Sequence, residues 1–326
     1  MRDKPLRPIR LAYLLLVAGS SAVRAHSDTP ANYLFLGGSP VSEWKSLLSR
    51  DDIAGAQVVY TWRSLEPSEG RYDFSAIERD LGEAEKLHRR LFVQVQDRFF
   101  QPAARNVPGY LLTRPEFDGG LAKQDDTGEG RNSYGWVAKQ WNPAVRTRFQ
   151  ALLSALAKQL DGRVAGINLP ESAADVDRKA PGFSCDAYFR GELENAGFAV
   201  KVFHRSTVVQ YINFWPCEWI DSRHYMLQFF DFAVANGVGL GGPDIAPGNK
   251  AHMKNAYPFF HRYKGRLKLV AMAVQEPTLT YVNPATGKRS SREEITAFAR
   301  DYLGADLIFW TPQAPWLRSS VHSKDQ

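Results

Sequence analysis

Residues 55–96, GAQVVYTWRSLEPSEGRYDFSAIERDLGEAEKLHRRLFVQVQ, carry the pattern that decides the fold. The apolar, β-branched run 55–62 predicts a strand, the amphipathic stretch Phe74–His88 predicts a helix, and the run 90–96 predicts a second strand. Two neighbouring strands joined by a crossover helix run parallel, because the helix returns the chain to the same end of the sheet. This stretch therefore predicts one strand–helix–strand unit of an α/β protein.

The same alternation continues along the chain and predicts eight strands with helical stretches between them. Strict alternation favours a single closed (β/α)8 TIM barrel, with extended loops at the C-terminal face of the strands, over an open doubly wound sheet. Further clear helical stretches are Ala144–Leu160, Ser222–Ala235 and Arg292–Tyr302. The predicted strands are 33–37, 55–62, 90–96, 163–169, 207–214, 237–241, 267–275 and 306–310.

Residues 1–25 have the organisation of a secretory signal peptide. Residues 1–10 are basic, residues 11–18 form a short apolar run, and small residues follow up to Ala25. The apolar run is far shorter than the roughly 20 residues that span a bilayer, and an uncleaved anchor is the alternative. We expect export to the periplasm or secretion, and no stable membrane insertion after signal cleavage. The expected remainder is a catalytic barrel domain over 26–318 and a disordered tail over 319–326.

The charge of the chain argues against a nucleic-acid partner. The formal net charge is +6, and residues 1–25 hold five basic residues against one acidic residue, which accounts for +4 and leaves +2. No Lys/Arg cluster forms a phosphate-binding patch, no His/Cys cluster has metal-ligand spacing, and no glycine-rich phosphate loop follows a strand. We therefore expect no nucleic acid, metal or cofactor. Cys185 and Cys217 fit either a disulfide between two loops or two buried thiols.

Polar and aromatic residues stand at or just after the C-terminal ends of the predicted strands, where a barrel builds its active site. Amides and carboxylates hydrogen-bond hydroxyl groups, and flat aromatic faces cover the apolar face of a sugar ring. Four histidines, at 204, 224, 252 and 261, are expected on helices or at their ends, away from this mouth. The candidate substrate-binding residues are Trp62, Asp97, Asn168, Asn213, Trp215, Asp244, Gln275 and Trp310.

Two glutamates are the candidate catalytic residues. Glu171 follows the fourth predicted strand and Glu276 follows the seventh, so both carboxylates are expected at the mouth. Glycosidic-bond hydrolysis needs one protonated and one ionised carboxyl group, and a separation of about 5–5.5 Å gives a retaining mechanism. Residue types and positions together therefore predict a hydrolase acting on a carbohydrate.

The segment 60–75 carries the string W-x-x-L-E-P-x-E-G-x-Y-D-F-S, from Trp62 to Ser75. This string resembles the second strand–helix unit of the barrel glycosidases that include bacterial β-galactosidases and cellulases. The resemblance implies an acid/base glutamate after strand 4 and a nucleophilic glutamate after strand 7, the positions of Glu171 and Glu276. It also implies an aromatic residue at the end of strand 8, where Trp310 stands. Glu66 lies within the string, and we expect it to hold the loop.

The leading hypothesis is an exported glycoside hydrolase that cleaves a β-linked oligo- or polysaccharide with retention of configuration. One alternative is a barrel that binds carbohydrate without cleaving it, because Leu169 and Pro170 separate Asn168 from Glu171, whereas the family usually has Asn directly before that glutamate. Another is an inverting glycosidase that uses Asp97 or Asp244, with carboxyl groups about 6.5–9.5 Å apart. No pattern in the sequence indicates which sugar, which linkage or which oligomeric state to expect.

Overall fold

The computed structural model describes residues 29–99, 101–125, 134–242 and 244–318. Eight strands close into one barrel, and every hydrogen-bonded pair between neighbours in it is parallel, with the last strand paired to the first. The predicted (β/α)8 barrel is therefore confirmed. The strands are β1 (Ala31–Phe35), β2 (Gly55–Thr61), β3 (Arg90–Gln96), β4 (Gly166–Leu169), β5 (Thr207–Tyr211), β6 (Gly239–Gly242), β7 (Val270–Val274) and β8 (Leu307–Trp310).

Helices follow the strands and form the outer layer of the barrel. The first connection holds only a 3-10 turn, Val41–Trp44, and the short helix Lys45–Leu48. The helix Arg292–Phe298 continues into a π-helical turn, Ala299–Leu303, which ends at Gly304 in a left-handed conformation. The remaining helices are Trp62–Leu65, Ser75–Lys86, Gly109–Thr113, Pro115–Phe117 (3-10), Pro143–Leu160, Cys185–Val202, Tyr225–Asn236, Tyr257–Arg262, Glu276–Thr280 and Pro315–Arg318.

Two of the loops contain short antiparallel strands. After β3, the strands Arg98–Phe99, Leu121–Asp125 and Tyr134–Ala138 form a three-stranded sheet. After β7, Val282–Asn283 pairs with Lys288–Arg289. The extended loops that the sequence predicts at the C-terminal face are therefore partly built as sheet.

Several predicted boundaries are wrong by a few residues. β4 begins at Gly166 rather than at residue 163, because the amides of Arg163 and Val164 still bond the carbonyl of Leu160 in the turn that ends the preceding helix. The helix predicted from Ser222 begins at Tyr225, after a residue in a left-handed conformation.

Three glycines on even-numbered strands make room for aromatic rings from their odd-numbered neighbours. A Cβ atom added to any of the three would lie within 2.9 Å of a ring carbon on the preceding strand, so none of these positions accepts a side chain without displacing the ring. The barrel interior is consequently packed rather than open beside these three glycines. The pairs are Gly55 with Tyr33, Gly166 with Phe92, and Gly241 with Tyr211.

The string from Trp62 to Ser75 is held by the buried carboxylate of Glu66. Its oxygens accept hydrogen bonds from Trp62 Nε1 at 2.8 Å, from the amide of Gly70 at 2.9 Å and from the hydroxyl of Tyr110 at 3.0 Å. Arg148 completes the set with an ion pair at 2.5 Å. Four donors from three parts of the chain meet at one carboxylate, so the structural role predicted for Glu66 is confirmed.

The predicted signal peptide and the predicted disordered tail lie outside the described residues. In the part of the chain that the structure describes, no helix combines the length and the apolar character that crossing a bilayer requires.

Candidate functional site

Residues from the ends of β4 to β8 meet at the mouth of the barrel. Glu171 follows β4, and its Oε1 accepts a hydrogen bond of 2.8 Å from the side-chain amide of Asn213, which follows β5. Asp244 follows β6 and lies close enough to Glu171 for the two carboxyl charges to interact. Glu276 is the first residue of the helix that follows β7. The predicted catalytic glutamates thus stand beyond the strands to which the sequence assigned them.

The environment of Glu171 favours its protonated form. Burial raises the pKa of Glu171 to about 7, because the charged carboxylate is poorly solvated. The hydrogen bond from Asn213 and the positive charge of Arg98 oppose this shift, while the negative charge of Asp244 adds to it. A carboxyl group with a pKa near neutrality can donate a proton to a leaving group and later take one from water.

Glu276 has a different environment, because its side chain is exposed. One carboxylate oxygen, Oε1, accepts a hydrogen bond of 2.5 Å from the hydroxyl of Thr311. Thr311 directly follows β8 and is fully buried, and its own amide bonds the carbonyl of Val274 at the end of β7. The hydroxyl therefore has a fixed position, and it holds one oxygen of the Glu276 carboxylate.

Asp244 is a third carboxyl group at the mouth. Its Oδ1 accepts a hydrogen bond of 3.1 Å from the hydroxyl of Thr278, and burial raises its pKa. His252 interacts electrostatically with Asp244 and contacts the hydroxyl of Tyr257 at 3.1 Å, while that hydroxyl donates to the backbone carbonyl of Asp244 at 2.8 Å. The expectation that His252 lies away from the mouth is therefore wrong.

The three tryptophans predicted to bind substrate are buried, which corrects that prediction. Trp62 is fully buried, and its indole packs edge-on against Phe149. Trp215 packs among aromatic rings of the outer helices, including Phe189 at 5.0 Å between ring centroids. Trp310 turns away from the barrel interior and packs against Trp316. None of the three indoles presents a face to a ligand at the mouth.

The prediction that Asp97 binds substrate is also wrong, because its carboxylate has no exposure to solvent. Oδ2 accepts a hydrogen bond of 2.7 Å from Gln140, and Oδ1 lies 3.5 Å from Nε of Arg98. The Arg98 guanidinium is itself buried, and it bonds the carbonyl of Ala173 and the carboxylate of Glu192. Asp97 therefore belongs to a buried ion cluster, and the inverting mechanism that uses it is not supported.

Asn168 is fully buried inside the barrel and offers no surface to a ligand, which corrects its assignment to substrate binding. It lies near Tyr211, whose hydroxyl exchanges hydrogen bonds of 2.9 and 3.1 Å with the side chain of Gln57 across the barrel. Burial raises the pKa of the Tyr211 hydroxyl, and the nearby charge of Glu171 raises it further. These polar side chains form the floor beneath the mouth.

Three of the predicted substrate-binding residues stay accessible. Asn213, Asp244 and Gln275 are each partly exposed, and Asn213 bonds Glu171 while Gln275 directly precedes Glu276. The sequence interpretation missed Thr278 and Thr311, whose hydroxyls hold Asp244 and Glu276. Thr311 could have been found from its position in the sequence, because it is the residue directly after β8.

Cys185 and Cys217 form a disulfide, which settles the alternative that the sequence left open. Cys185 is the first residue of the helix Cys185–Val202 rather than part of a loop, and Ser184 caps that helix by accepting from the amide of Ala187. The bridge ties this helix to the loop that follows β5. Across the described ranges, no group of three or more His, Cys, Asp or Glu side chains is arranged to hold a metal ion.

Comparisons with known proteins identify structural likeness only. No protein-family model matches the chain, and no curated protein sequence matches it. Among solved structures, the catalytic domain of a β-amylase from Paenibacillus polymyxa aligns with 9% identity and a TM-score of 0.57, over 88% of this chain and 93% of that one. Endoglycoceramidase II from Rhodococcus sp. aligns with 12% identity and a TM-score of 0.52, over 87% and 73%. A psychrophilic family 10 endo-β-1,4-xylanase aligns with 8% identity and a TM-score of 0.50, over 87% of each chain. The chain therefore shares its (β/α)8 barrel fold with glycoside hydrolases.

Proposed function

We propose that the protein is a glycoside hydrolase that cleaves β-linked oligo- or polysaccharides with retention of configuration, using Glu171 as acid/base and Glu276 as nucleophile. The observation that carries the proposal is the contrast between these two carboxyl groups. Burial raises the pKa of Glu171 to about 7, whereas Glu276 is exposed at the same mouth. A pair of carboxyl groups in unlike environments is the arrangement that divides acid from nucleophile in glycosidases.

In the first step, the protonated Glu171 donates its proton to the glycosidic oxygen as the bond to the anomeric carbon breaks. The Glu276 carboxylate attacks the anomeric carbon and forms a glycosyl ester. In the second step, the ionised Glu171 removes a proton from water, and that water displaces Glu276 from the sugar. The hydrogen bond from Thr311 holds one oxygen of Glu276, which leaves the other oxygen free to react.

Substrate recognition is assigned to the accessible amides and the third carboxylate. Asn213 holds Glu171 through one amide hydrogen, and we assign its remaining amide hydrogen to a hydroxyl of the reacting ring. Asp244 and Gln275 are partly exposed acceptors that can bond sugar hydroxyls. The proposed linkage follows one protein of the same fold, which is an endo-β-1,4-xylanase, and the proposed covalent step follows another, which is described as a lactosyl-enzyme intermediate.

An inverting mechanism that pairs Glu171 with Asp244 is the second candidate. It is favoured by one observation, the electrostatic interaction between these two carboxyl groups. In that mechanism Asp244 would activate water, and Glu276 would be dispensable for the chemistry. An inverting mechanism that uses Asp97 is not a candidate, because Asp97 is fully buried.

The deciding experiment uses aryl β-glycosides and 2-deoxy-2-fluoro glycosides. Retention predicts a β-anomer as the first product by proton NMR and a mass increase of one fluorosugar on the peptide that contains Glu276. An α-anomer, no adduct and full activity in Glu276→Gln would establish the inverting pair instead. Absence of cleavage of every β-glycoside, with binding retained, would identify a carbohydrate-binding barrel.

Export is proposed on the sequence of residues 1–25 alone. Expression with this segment should release a protein that begins at or near His26, as read by N-terminal mass spectrometry. Retention of the intact N-terminus in the membrane fraction would show an uncleaved anchor.

A further inference from the structure

The loop between β5 and the helix Tyr225–Asn236 displays two large apolar side chains. Trp219 is 52% exposed and Ile220 is 56% exposed, and the two are adjacent. Within the described ranges, every other tryptophan is buried or partly buried, so Trp219 offers the most open indole face. Two adjacent large apolar side chains, one of them a tryptophan, form a contiguous exposed apolar patch of the kind that marks a contact surface.

Covalent and hydrogen bonds hold the base of this loop. The disulfide between Cys185 and Cys217 ties it to the neighbouring helix. The carboxylate of Glu218 accepts hydrogen bonds from the amides of Tyr225 at 2.8 Å and Met226 at 3.2 Å, which caps the helix that follows. Trp219 therefore projects from a loop that is fixed on both sides.

The backbone of the loop has conformations that side chains disfavour. Four of its non-glycine residues have positive φ angles: Cys217 at 65°, Ile220 at 50°, Asp221 at 56° and His224 at 60°. A β-branched residue such as Ile220 is especially unfavourable there. The amide of Ile220 bonds Oδ1 of Asn255, from the loop after β6, at 3.2 Å. The surroundings therefore impose this shape, a situation that concentrates at binding sites.

The loop also belongs to the candidate active site. It includes Asn213, which holds Glu171, and Trp219 follows six positions later in the chain. Six residues span at most about 20 Å, so the indole lies within reach of an oligosaccharide bound at Glu171. Because the loop follows β5 and contacts the loop after β6, Trp219 stands on that side of the mouth.

We propose that Trp219 is a platform for a sugar ring of the substrate that is distant from the bond being cleaved. This inference rests on the proposed function and deepens it, because it assigns the substrate as an extended glycan rather than a small glycoside. The flat indole covers the apolar face of a pyranose ring. A membrane surface fits less well, because amphipathic binding needs a broad apolar face with several basic residues, whereas the one arginine of this loop, Arg223, lies beside Asp186, and the loop also holds the acidic Asp221.

The test compares long and short substrates in the full-length protein. The substrate series consists of cello-, xylo- and galacto-oligosaccharides of six units, and the corresponding aryl β-monosaccharides. In the series that the wild type cleaves, Trp219→Ala should lower kcat/KM on the hexasaccharide roughly tenfold more than on the aryl glycoside. Trp219→Phe should restore most of the loss, and Val282→Ala, a truncation of another exposed apolar side chain, should leave the ratio unchanged.

Equal losses on long and short substrates, or no loss on either, would overturn the platform while leaving the hydrolase intact. If the wild type cleaves nothing, the proposed function fails, and affinity electrophoresis in hydroxyethyl cellulose, xylan and galactan gels tests the platform directly. Retardation that Trp219→Ala removes would support it, and unchanged migration would refute it. Binding to phosphatidylglycerol vesicles that depends on Trp219, without glycan binding, would replace the sugar platform by a membrane contact.

Discussion

The side-chain amide of Asn213 donates a hydrogen bond of 2.8 Å to Oε1 of Glu171. Opposing effects act on that carboxyl group, and the charges of Arg98 and Asp244 contribute one to each side. Burial raises its pKa, and the bond from Asn213 stabilises the ionised form and lowers it. Together these effects raise the pKa to about 7, which fits a group that must give up a proton and regain it in one catalytic cycle.

Removal of the Asn213 amide should shift the pH dependence of activity upward. Glu171 must be protonated in the first step, so kcat/KM should fall as pH rises through about 7 in the wild type. In Asn213→Ala the bond that lowers the pKa is lost, so the alkaline limb should move to higher pH. Profiles of kcat/KM on an aryl glycoside measure this. A limb that stays in place or moves to lower pH would show that Glu171 is not the titrating acid.

Glu171→Gln should affect substrates according to their leaving groups. A poor leaving group needs the proton from Glu171, and loss of a general acid costs about 10²–10⁴-fold in rate. A dinitrophenolate leaves without protonation, so the rate of the first step on its glycoside should fall far less in this variant. Comparison of dinitrophenyl and alkyl glycosides measures the difference. Glu194→Gln, which changes an exposed carboxylate paired with Arg146, is the matched control.

Thr311 should act as a positioning residue for Glu276. Thr311→Val keeps the shape of the side chain and removes the hydroxyl that bonds Oε1. We expect kcat to fall between about tenfold and a hundredfold with little change in KM, because a misoriented nucleophile slows chemistry more than binding. Thr311→Ser restores the hydroxyl and should recover most of the rate. A rise in KM alone would show that Thr311 contacts substrate instead of orienting Glu276.

The fold was predictable because hydrophobic periodicity reports it directly. Eight apolar runs alternating with amphipathic stretches allow few architectures, and β3 was predicted at its observed bounds. The predicted β4 began three residues too early, since Arg163 and Val164 look like strand residues but lie in a turn. Local composition could not show that a helix end extended into the apolar run.

The orientation of side chains at the mouth was less predictable. Successive strand residues face opposite sides, and both Phe309 and Trp310 are apolar aromatics, so sequence alone does not show which faces inward. Phe309 packs edge-on against Tyr33 and Phe92 inside the barrel, which turns Trp310 outward. The burial of Asp97 could not be predicted either, because its hydrogen-bond partner Gln140 lies 43 residues away in the sequence.

Glu66 should contribute more to stability than any exposed ion pair. Glu66→Ala leaves the buried indole nitrogen of Trp62 and the amide of Gly70 without their acceptor, and it leaves Arg148 with only the longer ion pair to Glu69 at 3.9 Å. Loss of one partner of a buried, hydrogen-bonded ion pair costs about 3–5 kcal/mol. Urea unfolding followed by circular dichroism measures the free energy of unfolding. Glu194→Gln should change it by less than about 1 kcal/mol, and a similar small change in Glu66→Ala would contradict the role of this carboxylate.

The disulfide should stabilise the protein and hold the loop that carries Trp219. Cys185 and Cys217 are 32 positions apart, and closing a loop of that size contributes about 2–4 kcal/mol, since it restricts the unfolded chain. The variant Cys185→Ser with Cys217→Ser should therefore unfold at lower urea, and acrylamide should quench its tryptophan fluorescence more efficiently as the loop loosens. Reductant should move the wild type toward the variant and leave the variant unchanged. Equal stability of the two proteins would mean that the hydrogen bonds of Glu218 are sufficient to hold the loop.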